Sequence, residues 1–418
     1  MTKLFEILLY PPYIVAGLTM IPFYFFFVDS QYSYGVAKMV GADIELYFYA
    51  ITCVFSFTLA FFCSSRRIGF LPQKTKSNKY SLSMPLGKIS GLRKRVALIS
   101  LFICTIGLAV IITTAISTEP VDFWFSLINA SETKPDLRYS IIASENIPGI
   151  FRMFGYLIPG SVVFLISVML AYPEIVTNWK SFWIILLMVV VVLAIRGLVF
   201  MDRNSIIFAV ILCTLSILKN QYYQQKNKLS IFLYLLMIGF VLVSISYVQA
   251  FIRGNELLEK NTFFFYADQG MANASLALRT TSGYSFGFTS LLGFLSVVPR
   301  GIGLEEILIF PSPKREYVIN DAANLLTYSF VDFYYFGFLT YIVWGIISGW
   351  LYRARLRHPK SVTWWLSYNW HIFALLTIWI PPISGGPDFW CGVIFTLIAA
   401  SLIDNYYKSP SIRAQHII

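Results

Sequence analysis

Residues 182–200 read FWIILLMVVVVLAIRGLVF. The run holds one ionisable side chain, Arg196. As a helix it is long enough to cross the hydrocarbon core of a bilayer, which takes roughly 20 apolar residues. It does not stand alone. Comparable stretches lie near 7–28, 46–63, 96–116, 154–171, 204–218, 229–249, 332–352, 362–381 and 389–404. The run at 204–218 is short and reads as tilted or as starting inside a cavity. The fold class expected is therefore an all-α polytopic membrane protein of about ten transmembrane helices, with a large external loop between helices 7 and 8.

Composition points the same way. Of 418 residues, 57% are apolar, 17% aromatic and only 13% charged. A soluble domain has about 45–50% apolar and about 25% charged residues. A soluble enzyme, a disordered chain and a fibrous protein are excluded on this ground. The five cysteines, Cys53, Cys63, Cys104, Cys213 and Cys391, all fall in or beside apolar stretches, and no pair has CxxC spacing. They read as small buried hydrophobes, not as a disulfide or metal framework. The first apolar stretch is too long for a cleavable signal and lacks a small-residue cleavage site, so it reads as a retained helix.

The net charge of +11 reads as membrane orientation and not as nucleic-acid binding, because basic residues collect in loops that stay in the cytoplasm. The segment 64–95 carries Arg66, Arg67, Lys74, Lys76, Lys79, Lys88, Arg93, Lys94 and Arg95 and no acid. It is expected inside. With that anchor, 20 Lys/Arg and 3 Asp/Glu fall on the cytoplasmic side, against 12 and 18 on the other. Residues 1–249 then hold helices 1–7, with the basic loop 64–95 and an external loop at 117–153. Residues 250–331 form the large external loop, and 332–418 hold helices 8–10 and a cytoplasmic tail. Loops this long are usually functional. The sequence shows neither an internal repeat nor matched broken helices, the marks of many transporters.

Ionisable groups near the hydrocarbon core are costly, about 2.5–3.5 kcal/mol on insertion scales. The segment Ala194–Ser205 nevertheless places Arg196, Asp202 and Arg203 between two predicted helices. Two readings stand. In one, Arg196 snorkels to the outer surface while Asp202 and Arg203 form a turn and a cap. In the other they floor a basic external cavity suited to a phosphate-like anion. The long loop adds Arg253, Arg279, Arg300 and Arg315, with Lys260 and Lys314. Arg300 lies in Val298–Pro299–Arg300–Gly301, a turn-forming sequence.

Candidate acids are Asp202, Glu256, Asp268, Glu305, Asp321 and Asp332. Asp332 is expected at the start of an apolar helix, either as an ordinary acid at a helix N-terminus or as a general base among apolar neighbours. His371 is placed mid-helix, satisfied by a neighbouring helix, and no histidine falls in either external loop. No HExxH, Walker loop, GxSxG or zinc spacing is present. Asn129–Ala–Ser131 and Asn273–Ala–Ser275 fit the glycosylation acceptor pattern, which is too common to carry weight.

Three features together resemble the O-antigen polymerases of the Wzy type, the oligosaccharide repeat-unit polymerases. The first is the architecture. The second is Asp202–Arg203–Asn204–Ser205 at the entry to a mid-chain helix. The third is Val298–Pro299–Arg300–Gly301 followed by Asn324–Leu325–Leu326–Thr327–Tyr328 and Asp332–Phe333–Tyr334–Tyr335–Phe336–Gly337. The chain departs from the pattern in having Phe333–Tyr334–Tyr335 where Asp-Phe-Gly is expected, which leaves a tight turn after Asp332 an open question.

The resemblance implies a metal-independent glycosyltransferase without a cofactor, in the bacterial cytoplasmic membrane, with its site facing the periplasm. Its substrates would be oligosaccharides on undecaprenyl diphosphate, and its partners the bilayer, a chain-length regulator and a flippase, with no nucleic acid. Asp332 or Glu256 would take the proton of the attacking hydroxyl. Arg196, Arg203, Arg253, Arg279 and Arg300 would hold the diphosphate. Phe264, Phe265, Tyr266 and Tyr284 are candidates to stack on sugars, though packing of the loop on the membrane explains any one of them. Three alternatives are weighed: an O-antigen ligase, for which an external histidine is expected; a polysaccharide or lipid transporter without covalent chemistry; and a sensory or structural membrane protein.

Overall fold

The computed structural model describes residues 10–28, 44–65, 86–117, 154, 157–176, 179–199, 262–280, 324–378 and 387–408. Nearly all of these are helical, with no strand among them. In chain order the helices are α1 (Pro11–Val28), α2 (Ile44–Ser65), α3 (Leu86–Ser117), α4 (Leu157–Ala171), the single turn α5 (Pro173–Val176), α6 (Lys180–Val199), α7 (Thr262–Thr280), α8 (Leu325–Phe333), α9 (Phe338–Arg357), α10 (Val362–Leu375) and α11 (Pro387–Lys408). A 3-10 turn, Tyr334–Gly337, joins α8 to α9. Among the described residues, four stretches are long and apolar enough to cross a membrane: Ile44–Ser65, Gly87–Thr113, Leu325–Arg357 and Phe389–Lys408. The protein is an all-α membrane protein. The predicted spans at 204–218 and 229–249, and residues 118–153 of the loop expected at 117–153, lie outside the described residues.

Helix α4 is the centre of one half of the bundle. Every residue from Leu157 to Ala171 except Leu170 is buried, and a helix apolar all round belongs inside. It packs on α3, α6, α10 and α11. Two polar clasps fix this packing. Asn369 Nδ2 donates to Ser167 Oγ at 3.0 Å, and Trp370 Nε1 donates to Thr396 Oγ1 at 2.9 Å. Between helices in lipid, such bonds and close packing replace the hydrophobic effect as the source of association.

The other half is built on α2 and α9, which run parallel. A Cβ at Gly337, Gly345 or Gly349 would overlap Tyr49, Phe57 or Phe61 respectively, so the register is constant along the pair. Glycine at 345 and 349 lets the backbones approach as in small-xxx-small interfaces. The outward faces of both helices carry exposed apolar side chains, among them Phe48, Phe55, Leu59, Val343, Ile346 and Trp350, a surface suited to lipid.

One end of the bundle gathers the basic residues. There Asp404 on α11 caps α10: its carboxylate accepts from the backbone N–H groups of Val362 (2.8 Å) and Thr363 (3.1 Å) and from the Ser361 hydroxyl. An anion at a helix N-terminus satisfies otherwise orphaned donors. The Tyr172 hydroxyl lies 3.1 Å from the same carboxylate. Burial, and then the charge of Asp404, push its pKa up, so it stays a donor. Arg93 Nε donates to the Ile175 carbonyl at 2.8 Å, and Lys360 pairs with Glu174 at 3.3 Å. The ends that the charge pattern groups on one side of the membrane therefore meet in space.

Three boundaries differ from the sequence expectation. Residues 86–95, assigned to a loop, form the first turns of α3. Residues 262–280, left within the external loop, form α7, which packs on α1 and α8. The helix expected from 332 is instead two pieces, α8 and α9, broken between them. Among the cysteines, Cys53, Cys104 and Cys391 are buried as expected, Cys63 is exposed, and Cys213 lies outside the described residues.

Candidate functional site at a broken helix

The break is built from its own sequence. At its start, Asn324 caps α8: its Oδ1 accepts from the Thr327 N–H and hydroxyl, both at 3.1 Å. An asparagine cap of this kind contributes about 1 kcal/mol. The Leu325 N–H donates to the Ile378 carbonyl at 2.9 Å, tying the start of α8 to the turn that ends α10. Asn324 Nδ2 also reaches Met271 Sδ of α7 at 3.9 Å. The Asn324 and Thr327 of the polymerase-like pattern are thus the cap of the short helix that carries Asp332.

At its other end, α8 stops at Tyr334, whose φ is 54° and whose N–H donates to the Phe330 carbonyl. A bulky side chain at positive φ is uncommon and costs on the order of 1–3 kcal/mol. Packing between aromatic rings offsets part of that cost. The Tyr334 ring lies 4.7 Å from Phe330 and 4.6 Å from Tyr335, and Phe330 meets Tyr49 edge-on at 5.5 Å. The chain then folds back. A Cβ at Gly337 would strike the Ser329 carbonyl and the Tyr49 hydroxyl, whereas eight residues of straight helix would separate 329 from 337 by about 12 Å. The tight turn after Asp332 is present, carried by tyrosine and not by glycine.

Asp332 is fully buried. It occupies the last turn of α8 and not the first turn of a helix, which corrects the expectation of an ordinary N-terminal acid. The C-terminal end of a helix is its negative pole, so a carboxylate there gains nothing from the helix. It has partners in the fold. One turn away, Ser329 Oγ shares a 2.9 Å hydrogen bond with the Tyr49 hydroxyl and also bonds the Leu326 carbonyl at 2.9 Å. Irregular backbone at membrane depth is tolerated only where protein covers it or a wet cavity takes it up.

Helix α7 closes the other side. Gly270 through Ser275 are all buried, Asn273 and Ser275 completely. Burial removes Asn273 as a glycan acceptor in this fold. The signal for α7 was available in the spacing of Gly270, Ala274 and Ala277, which puts small residues on one helical face. Tyr49, Ser329 and Gly337, which shape the break, carried no pattern that singled them out.

The predicted arginines are only partly in view. Arg196 lies in the last turn of α6, is 4% exposed and is engaged with partners. The snorkelling reading is set aside, because the side chain is enclosed by protein. Helix α6 packs on α3 and α4, whereas α8 packs on α7 and α9, so Arg196 and Asp332 are carried by helices with different neighbours. Arg279 is exposed in the last turn of α7, a favourable place for a cation. Arg203, Arg253, Arg300 and Glu256 lie outside the described residues, as does Tyr284. Phe264, Phe265 and Tyr266 fall in the first turns of α7. Among the described residues no group of three or more His, Cys, Asp or Glu side chains is placed to hold a metal. His371 hydrogen-bonds Ser348 and stacks on Trp344, a packing role between α9 and α10.

No family model, no curated protein and no solved structure matches this chain.

Proposed function

We propose that this protein is a membrane glycosyltransferase that extends a surface polysaccharide from oligosaccharide units carried on undecaprenyl diphosphate, on the outer face of the bacterial cytoplasmic membrane. The observation that carries the reading is Asp332, a carboxylate fully enclosed in the last turn of a short capped helix, at a break that folds the chain back on itself. An ionisable group held inside a membrane bundle is a functional candidate by default. The sequence around it is the part that resembles the O-antigen polymerases.

In this reading an acceptor sugar hydroxyl attacks the anomeric carbon of the donor. Asp332, with Glu256 as the second candidate, takes the hydroxyl proton as the new C–O bond forms. The bond from the anomeric carbon to the diphosphate oxygen breaks, and the diphosphate leaves with the electron pair. Arg203, Arg253 and Arg300, with Arg196, answer the charge that grows on it. Guanidinium forks suit that task because they stay charged and bind phosphate oxygens in pairs.

A specific observation favours a second reading. Discontinuous helices are a mark of transporters, and the α8–α9 break is one. A polysaccharide or lipid transporter therefore remains the alternative. The surface glycan of a strain lacking the gene separates the two. A polymerase leaves single capped units, whereas a transporter leaves no attached glycan.

A further inference from the structure

At the basic end of the bundle the Arg355 guanidinium is held in an aromatic cage. It lies over the rings of Tyr368 at 4.1 Å, Trp365 at 4.8 Å and Tyr352 at 5.0 Å. The negative face of an aromatic ring attracts a cation held in this way. The rings satisfy the faces of the guanidinium and leave its N–H edge unserved. The Nε atom is buried without a hydrogen-bond partner, although the side chain as a whole is partly exposed.

The described residues at this end have little acid to offer it. Among the described residues at this end, the acids are Glu174 and Asp404. Glu174 is paired with Lys360, and Asp404 is taken up by Ser361, Val362, Thr363 and Tyr172. Arg353 and Arg357 on the same helix add further positive charge. The surroundings mark the level of the lipid headgroups: Trp350 packs edge-on against Trp364 at 5.2 Å, and His358 stacks on Trp364. Tryptophans collect at membrane–water interfaces, with basic residues beyond them.

The geometry points to a binding site for the phosphate of an anionic phospholipid at this end of the bundle, gripped by Arg355 from its cage of Tyr352, Trp365 and Tyr368. The cage presets the plane of the fork, and the phosphate oxygens complete its hydrogen bonds. The site is separate from Asp332 and does not rest on the proposed transferase activity.

Native mass spectrometry on the full chain in a non-ionic detergent tests this. Phosphatidylglycerol and phosphatidylcholine with the same acyl chains are titrated in competition. The wild type should retain phosphatidylglycerol with about tenfold preference, the scale of one charge-assisted pair. Arg355→Gln should abolish the preference, and Arg355→Lys, which keeps the charge and loses the fork, should fall between. Lys180→Gln, at the exposed start of α6, should leave it unchanged. A wild type that does not discriminate overturns the proposal without recourse to any variant. A loss as large in Lys180→Gln as in Arg355→Gln overturns it by showing diffuse surface charge. Inorganic phosphate that erases the preference at millimolar concentration overturns the assignment to lipid.

Discussion

Tyr49 and Ser329 share a buried 2.9 Å hydrogen bond across 280 residues of sequence. The bond joins α2 to the short helix that carries Asp332. Gly337 sits against the same two residues, with no room for a side chain. Together they fix the angle at which α8 leaves α9, and so the place where the carboxylate is held.

Gly337→Ala should therefore destabilise the protein by about 1–3 kcal/mol, because the added methyl meets a backbone carbonyl that has no rotamer to escape into. Gly87→Ala, where a Cβ meets nothing within 4 Å, should be neutral or slightly stabilising, since alanine is the better helix former. Thermal unfolding in detergent reads both. Equal midpoints for the two variants would remove the close approach from the account.

The α2–α9 pair makes a similar demand. At Gly349 a Cβ would run into Ser64 Oγ, the Phe61 carbonyl and the Ser65 backbone nitrogen. Gly349→Leu should separate the helices and lower the yield of monodisperse protein, with the loss partly repaired in Gly349→Ala. If the leucine variant purifies and melts like the parent, the two helices do not pack in this register.

Much of this architecture was legible in the apolar runs. Phe182–Phe200 and Leu157–Ala171 contain so little polarity that only a bilayer or a protein interior can hold them. The segments around Arg93, Glu174, Lys360 and Asp404, which the basic runs group together, lie near one another in space. Helix α7 was not legible in this way. It packs on α1 and α8, and its buried face includes the small residues Gly270, Ala274 and Ala277, to which a hydropathy reading is blind. The break at Tyr334 was hidden for a different reason. Neither glycine nor proline stands there, and the rings packed at the turn, Phe330, Tyr334 and Tyr335, are anchored by the edge-on contact of Phe330 with Tyr49 of α2, which is tertiary. Asp332 stood out in the sequence as a carboxylate beside an apolar run, and it is buried, yet its position at the end of one helix, and not the start of another, depended on that turn.

Arg203→Ala and Arg300→Ala should each abolish chain growth while leaving protein levels normal, and lysine at either position should rescue poorly because a point charge lacks the fork. Gel profiles of surface glycan from complemented cells read this. Long chains persisting in either alanine variant would remove the diphosphate grip.

We propose that Asp332 takes the proton in the chain-extending step. The most direct test is the glycan made by a deletion strain complemented with Asp332→Asn at parental protein levels. General-base catalysis contributes typically about 10²–10⁴-fold in rate. Lipid-core molecules bearing single units and no ladder are expected, alongside a full ladder from the parent gene. A full ladder from Asp332→Asn would contradict it.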